Sequence, residues 1–224
     1  MTVVGIDACK KGWTVVAVSD GTLTAHFLPK IELIDDEVAE VSTIAIDIPI
    51  GLPEQGHREA DHLARAYVGP RRSSVFPVPV REALNAPEFV EANRISFARS
   101  GSGLSKQSYA LREKIMEVDT WLAASLCSVW EVHPEVSFRG MVGAPLQYSK
   151  KSWAGMNLRR SALQQAGIDI DEIIDYAGGN ASTDDLLDAA AAAWSADRIQ
   201  RGVQESFPSQ VRLSSIREGN VIWF

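Results

Sequence analysis

Two aspartates each close a short apolar run: Asp7 follows Val3-Val4-Gly5-Ile6, and Asp47 follows Ile44-Ala45-Ile46. In open α/β sheets ligands bind beyond the carboxyl ends of the strands. If these runs are adjacent parallel strands, the two carboxylates stand side by side, repel, and invite a hard divalent cation. Asp185 and Asp188 are three apart in an Ala-rich segment, so on a helix they share a face and add oxygen ligands. Glu131 and Glu135, in Glu131-Val132-His133-Pro134-Glu135, end another strand-like run. A cluster of this kind serves attack of water on a phosphodiester, with two metal ions activating the water and stabilising the leaving oxygen. The expected metal ligands are Asp7, Asp47 and Asp188, and the expected cofactor is Mg²⁺ or Mn²⁺. Asp185 and Glu131 are candidate catalytic acids, and His133 is a candidate for orienting a phosphate or carrying a proton. Each acid also has an ordinary account. Asp after a strand forms turns, acids at 184 and 185 suit a helix's first turn, and Glu131 suits a solvent-facing edge.

Basic residues in loops over such a site are suited to positioning phosphates. Arg71-Arg72 and Lys150-Lys151 are the candidates for substrate binding, with Arg159-Arg160 on a short helix beyond them. Solvated surface charge is the alternative for each pair. Arg58, Asp61 and Arg65, spaced three and four apart, read as an ion-pair ladder along a helix. Phe76 reads as core packing, with base stacking as the alternative. His57, Asp61 and His62 do not make a metal site, because neighbours on a helix diverge.

The elements that must hold these residues are mostly legible. Val3–Asp7, Trp13–Ser19 and Leu23–Leu28 read as strands, with Asp20-Gly21 as a hairpin turn. A short helix is expected around Ile31–Glu40. Ser42–Ile48 reads as a central strand covered on both faces and stopped by Pro49. His57–Val68 is predicted helical, Arg71–Pro79 is a loop, and Glu82–Gly103 is ambiguous. Leu111, Ile115, Val118, Leu122 and Leu126 recur on one helical face. Val129–Val132 is a strand stopped by Pro134, Gly140–Gly155 reads as loop, and Asn157–Ala166 and Asp171–Tyr176 as short helices. Thr183–Arg201 is a strong Ala-rich helix ending at Gly202, with Leu187, Ala190, Ala191 and Trp194 along one stripe. This order predicts a single α/β domain over 1–224: a mixed β-sheet flanked by helices, with an inserted cap at about 52–103.

Composition sets bounds on these readings. The 224 residues are 46% hydrophobic and 23% charged, as in ordinary globular domains. No apolar run approaches the length needed to cross a bilayer, and Met1 leads directly into Val3–Ile6, so neither a membrane span nor a signal peptide is expected. Cys9 and Cys127 lack metal-ligand spacing, which suits reduced thiols and a cytoplasmic setting, with a disulfide between them as the alternative. The net charge of -7 means that a nucleic-acid partner must be met by local basic groups. The oligomeric state stays open.

Several segments together resemble the domain-of-unknown-function family 429, described as predicted nucleases of the ribonuclease H fold. In the first half they are Val4-Gly5-Ile6-Asp7 with Lys11-Gly12-Trp13, the run Ile46–Pro53, Arg58, Asp61, Ala64-Arg65, and Arg71–Pro77. In the second half they are Lys114–Asp119, Glu131–Phe138, Ser149-Lys150-Lys151 and Asp184–Ala189. The resemblance implies a ribonuclease H-like fold, and nuclease activity by inference from that fold. Asp185-x-x-Asp188 also looks like the helix acids of Holliday-junction resolvases. Two further functions compete with a nuclease. One is an actin- or sugar-kinase-like phosphotransferase, with Lys10, Gly12 and Thr14 as a phosphate loop and Gly178-Gly179 near a nucleotide. The other is a non-catalytic binding protein that keeps the fold. A serine hydrolase using Ser73 or Ser74 with His133 is set aside, since the Gly-x-Ser-x-Gly elbow is missing.

Overall fold

A computed structural model describes residues 1–125, 127–173, 176, 181–209 and 220–224. β1 (Thr2–Cys9), β2 (Gly12–Ser19) and β3 (Thr22–Leu28) form an antiparallel meander. Its second turn is the expected Asp20-Gly21, with φ of 48° and 81°, the left-handed pair that matches the twist of a two-residue hairpin. The helix expected to reach Glu40 is shorter, a 3-10 turn at Ile31–Leu33 running into α1 (Ile34–Glu37). β4 (Val41–Ile46) then pairs parallel with β1, and β5 (Val129–Glu131) parallel with β4. The five-stranded mixed sheet has the order β3-β2-β1-β4-β5 and is flanked by helices.

Between β4 and β5 the chain makes α2 (Glu59–Val68), α3 (Arg81–Asn85), α4 (Phe89–Ser100), α5 (Lys106–Ala110) and α6 (Arg112–Ala124). The ambiguous stretch 82–103 is thus largely helical, with a small cluster of Ala86, Ala92 and Leu104 packed by Phe89, Ile95 and Tyr109. From the predicted α6 stripe, Ile115 and Val118 are buried with Trp121, while Leu111 and Leu122 are half-buried. Leu126 lies outside the described residues.

After β5 come α7 (Pro134–Val142), α8 (Trp153–Gln165), a 3-10 turn at Ile170–Glu172, α9 (Thr183–Gln200), β6 (Ser206–Phe207) and β7 (Ile222–Trp223). The loop expected over 140–155 is therefore corrected at both ends. Pro134 stops β5, but it also occupies the first turn of α7, where its missing N–H costs nothing. Ser152 caps α8, its side chain accepting from the Gly155 N–H. The helix expected at Asp171–Tyr176 reduces to the 3-10 turn, and Ile174 and Asp175 lie outside the described residues. Cys9 and Cys127 are both free. Among the described residues no helix is long and apolar enough to cross a membrane.

Alternation along the strands decides what meets what. Val4, Ile6, Ile44, Ile46 and Val129 face one side, packing with Ile31, Ile34 and α6. Val3, Ala45, Trp130 and Val132 face the other, against Ala192, Ala196 and Ile199 of α9. Gly5 shares this second face, and a Cβ there would lie 2.0 Å from the Ala193 nitrogen and 2.1 Å from the Ala189 carbonyl oxygen. The helix backbone therefore rests directly on the strand. Gly5→Ala must push α9 off β1, and we expect a loss of about 2–3 kcal/mol or more, as for other overpacked cores. Denaturant unfolding monitored by circular dichroism checks this.

Candidate active site

Two residues beyond Gly5, Asp7 faces the same side of the sheet. Asp47 follows β4, and its N–H donates to the Ile6 carbonyl at 2.9 Å, which continues the ladder and sets it beside Asp7. The close contact of α9 brings Asp188, one turn into that helix, against the strand ends. Asp7, Asp47, Asp185 and Asp188 line one cavity of about 230 Å³, together with Glu131, His133, Glu135 and Lys150. Asp7 and Asp188 are buried, and Asp47 is half-buried by area but closely surrounded.

The electrostatics follow from this crowding. Burial, then the charges of Asp188 and Asp47, hold the Asp7 carboxyl well above the usual carboxylate range. Burial also pushes Asp188 up to about 6; Lys150 opposes the rise, while Asp47 and Glu135 add to it. Asp47 is raised by burial, with His133 and Lys150 pulling it back. Lys150 donates to Asp188 Oδ2 and lies 3.7 Å from Asp184 Oδ2. Burial disfavours its charge, but Asp188, Asp7 and Asp47 outweigh that and hold the ammonium protonated.

Other expected members take different places. Glu131 pairs with Ile46 in the β4–β5 register, and Ile46 faces the α6 side. The same parity turns Glu131 away from Asp47. Its oxygens accept from Arg58 at 2.6 and 2.7 Å and from the Ile50 N–H at 2.7 Å, so it is held in a buried ion pair. Arg58 also binds Asp61, at 2.6 and 3.1 Å, and Asp61 Oδ2 accepts from the Val78 N–H. The expected ladder is present but buried, and Arg65 leaves it to donate to the carbonyls of Arg72 and Val75. Asp185 lines the cavity, yet one oxygen accepts from the Ser182 N–H at 2.7 Å as part of a capping box.

His133 caps α7. Its Nδ1 accepts from the Glu135 N–H at 3.2 Å and its Nε2 faces the Ser74 carbonyl at 3.3 Å. These two contacts tie the 71–76 loop to α7, and the ring also lines the cavity. Of the expected phosphate contacts only Lys150 reaches the cavity. Lys151 lines a neighbouring groove, and Arg71 and Arg72 lie outside the lining, where their carbonyls accept from Ser74 and Arg65. Phe76 is half-buried in the cavity wall rather than in the core. Arg159 is fully buried and Arg160 pairs with Asp171 at the surface. Arg159 grips Glu135 through bonds of 2.5 and 2.7 Å. The signal for Glu135 was Pro134, which marks a helix start and puts Glu135 in its first turn.

The competing motifs fare as follows. Thr14 is buried, and its hydroxyl accepts from the Tyr176 hydroxyl at 3.2 Å. The Leu28 carbonyl lies 2.0 Å from where a Gly12 Cβ would be, so that glycine serves packing rather than a phosphate loop. Gly178-Gly179 lies outside the described residues. The Ser74 hydroxyl donates to the Arg71 carbonyl rather than pairing with His133. His57 binds Ser102 Oγ at 2.9 Å, apart from Asp61.

Among the described residues no three acidic or histidine side chains close around one point as a metal cage does. Among the described residues, Lys150 donates directly to Asp188, and the charges of His133 and Lys150 both act on Asp47. The donor chemistry still suits a hard cation: three crowded carboxylates, each with its pKa raised.

Two outcomes follow. Because burial and the neighbouring acids raise the Asp7 pKa above the unfolded chain's value near 4, stability falls as pH rises through the raised pKa. Asp7→Asn removes that penalty. Its Tm should match the native chain near pH 4 and exceed it at pH 8 by about 2–4 °C, the size of a 1 kcal/mol gain at this length. Arg58→Met leaves Glu131 and Asp61 buried without their cation and should cost about 3–5 kcal/mol by denaturant unfolding.

No curated protein and no solved structure matches the chain. A family model described as "Protein of unknown function (DUF429)" matches residues 5–212. Spanning nearly the whole sequence, that match means that the chain belongs to the DUF429 family.

Proposed function

We propose that this protein is a divalent-metal-dependent nuclease with a ribonuclease H-like fold. One observation carries the reading: Asp7 on β1 and Asp47 just past β4 lie at the carboxyl ends of adjacent parallel strands in a 3-2-1-4-5 sheet, and the last long helix adds Asp188. An antiparallel meander followed by two parallel strands supports the same fold.

Asp7, Asp47 and Asp188 would hold the metal, which supplies an activated water and charge to stabilise the leaving oxygen. The chain's own groups do the rest. Lys150 keeps its proton and presents a fixed positive charge beside the acids, where a phosphate would be drawn. The Arg58–Glu131 and Arg159–Glu135 pairs hold the cavity walls. His133 fixes the loop that carries Ser74, Val75 and Phe76 along the rim. With an overall charge of -7, recruitment of a polyanion falls to these local cations.

The reading is tested by incubating single- and double-stranded DNA and RNA with Mg²⁺ or Mn²⁺. Metal-dependent cleavage is expected, reduced at least about 100-fold in Asp7→Asn and Asp188→Asn, as when a group acting at the reacting atoms is lost. Cleavage by the native chain no greater than by Asp7→Asn would overturn it.

A further inference from the structure

The segment Tyr148-Ser149-Lys150-Lys151-Ser152-Trp153 connects the acidic cavity to a second groove of about 660 Å³, and Lys150 lines both. Lys151 and Trp153 form one wall of that groove, Thr183 and Leu187 the other. Two aromatic rings on this strap lie open, Tyr148 at 54% and Trp153 at 74% exposure. Rings of this size usually bury most of their surface.

The exposure does not come from a loose chain. Arg159, clamped to Glu135, donates to the carbonyls of Tyr148 at 3.2 Å and Gly155 at 2.9 Å. The Ser149 carbonyl lies 1.9 Å from where a Gly155 Cβ would be, and accepts from Ser152 N at 2.9 Å and Oγ at 2.8 Å. A pinned backbone thus holds two aromatic rings and one solvent-facing lysine outward on the segment whose Lys150 reaches the acids. Aromatic faces interleaved with cations suit a flexible strand with bare bases, because stacking needs no base sequence and the lysine meets phosphate.

The cavity favours the same partner. Its volume lies below the usual small-molecule range of about 300–1,000 Å³, and Phe76, Val78 and Leu111 line it as well as the acids. A cavity of that size suits one unit of a chain, such as a nucleotide's sugar and phosphate, rather than a large rigid body.

We propose that the Tyr148–Trp153 strap is a stacking platform for single-stranded nucleic acid, feeding one strand to the carboxylates. The inference rests on the nuclease reading and names its substrate class. On the strap itself Lys151 supplies the phosphate contact, while Lys150 stays with Asp188 at the cavity.

Binding is measured by fluorescence anisotropy with Asp7→Asn in EDTA, so that no cleavage intervenes. The probes are labelled 12-mers of dT and rU and a duplex of the same length, with poly-glutamate as a competitor. A single strand should bind at least 10-fold tighter than the duplex, and the tighter of dT and rU identifies the polymer. Adding Trp153→Ala or Tyr148→Ala should weaken binding about 5- to 100-fold each, with recovery in Trp153→Phe. Lys151→Ala should weaken binding and lower the salt slope by about 1. Trp153 is exposed enough that circular dichroism should show the fold unchanged.

Equal binding of duplex, no effect of either aromatic substitution, competition by poly-glutamate as strong as by oligonucleotide, or no binding at all would each overturn the platform. Metal-dependent cleavage by the native chain that Trp153→Ala leaves unchanged in KM would sink the platform and spare the nuclease reading. Single-strand binding lost in Trp153→Ala, with no cleavage by the native chain, would sink the nuclease reading alone.

Discussion

The contact on which the site depends is the bare Cα of Gly5 against the backbone of α9. With no side chain at Gly5 and alanines from Ala189 to Ala193, the helix settles on β1 at the shortest separation the backbones allow. Asp188 is thereby carried to the same depth as Asp7, and Asp47 joins through the parallel β1–β4 register. Any side chain at position 5 acts as a spacer between strand and helix. The packing of the core and the geometry of the acids are therefore one constraint, not two.

Placing acids so close is costly, and the surrounding charges show how the cost is contained. Glu131 and Glu135 are each neutralised by a buried arginine, through two short bonds in each case. Such pairs add little net stability, but they fix position, and a lone carboxylate at the same depth would be far worse. Among the described residues no arginine pairs with Asp7, Asp47 or Asp188. They share the ammonium of Lys150 and keep raised pKa values. The cavity thus keeps acids without a dedicated counter-charge where a cation would be stabilised, and neutralised acids along its walls. Arg159 links the two halves of this arrangement, since it neutralises Glu135 and also anchors the strap that carries Lys150.

Much of this was legible in the amino-acid order. Val3–Asp7, Asp20-Gly21, Ser42–Ile48 and Thr183–Arg201 carry local signals of apolar runs, a turn pair and helical spacing, and each element forms close to where it was read. Asp7, Asp47 and Asp188 were legible because strand ends and helix faces are themselves local properties. α7 is hidden in the sequence because Pro134 both stops a strand and starts a helix, and the two signals coincide at one residue. Asp185 had two local readings, and the capping box and the cavity lining show both.

The sequence by itself determined which segments are strands and helices, and which acids sit at their ends, because turn chemistry and periodicity act over a few residues. Which carboxylates face one another was decided only by the tertiary structure. The pairing of Glu131 with Ile46 turns that acid to the opposite face of the sheet, and nothing within β5 specifies that register. Among the basic pairs, Lys150 reaches the acids while Arg71 and Arg72 do not, and Arg159 is consumed by Glu135, 24 residues away in the chain. These outcomes depend on contacts between distant segments. An isolated residue carries its charge and size in the sequence, but its partner exists only once the sheet order and helix packing are set.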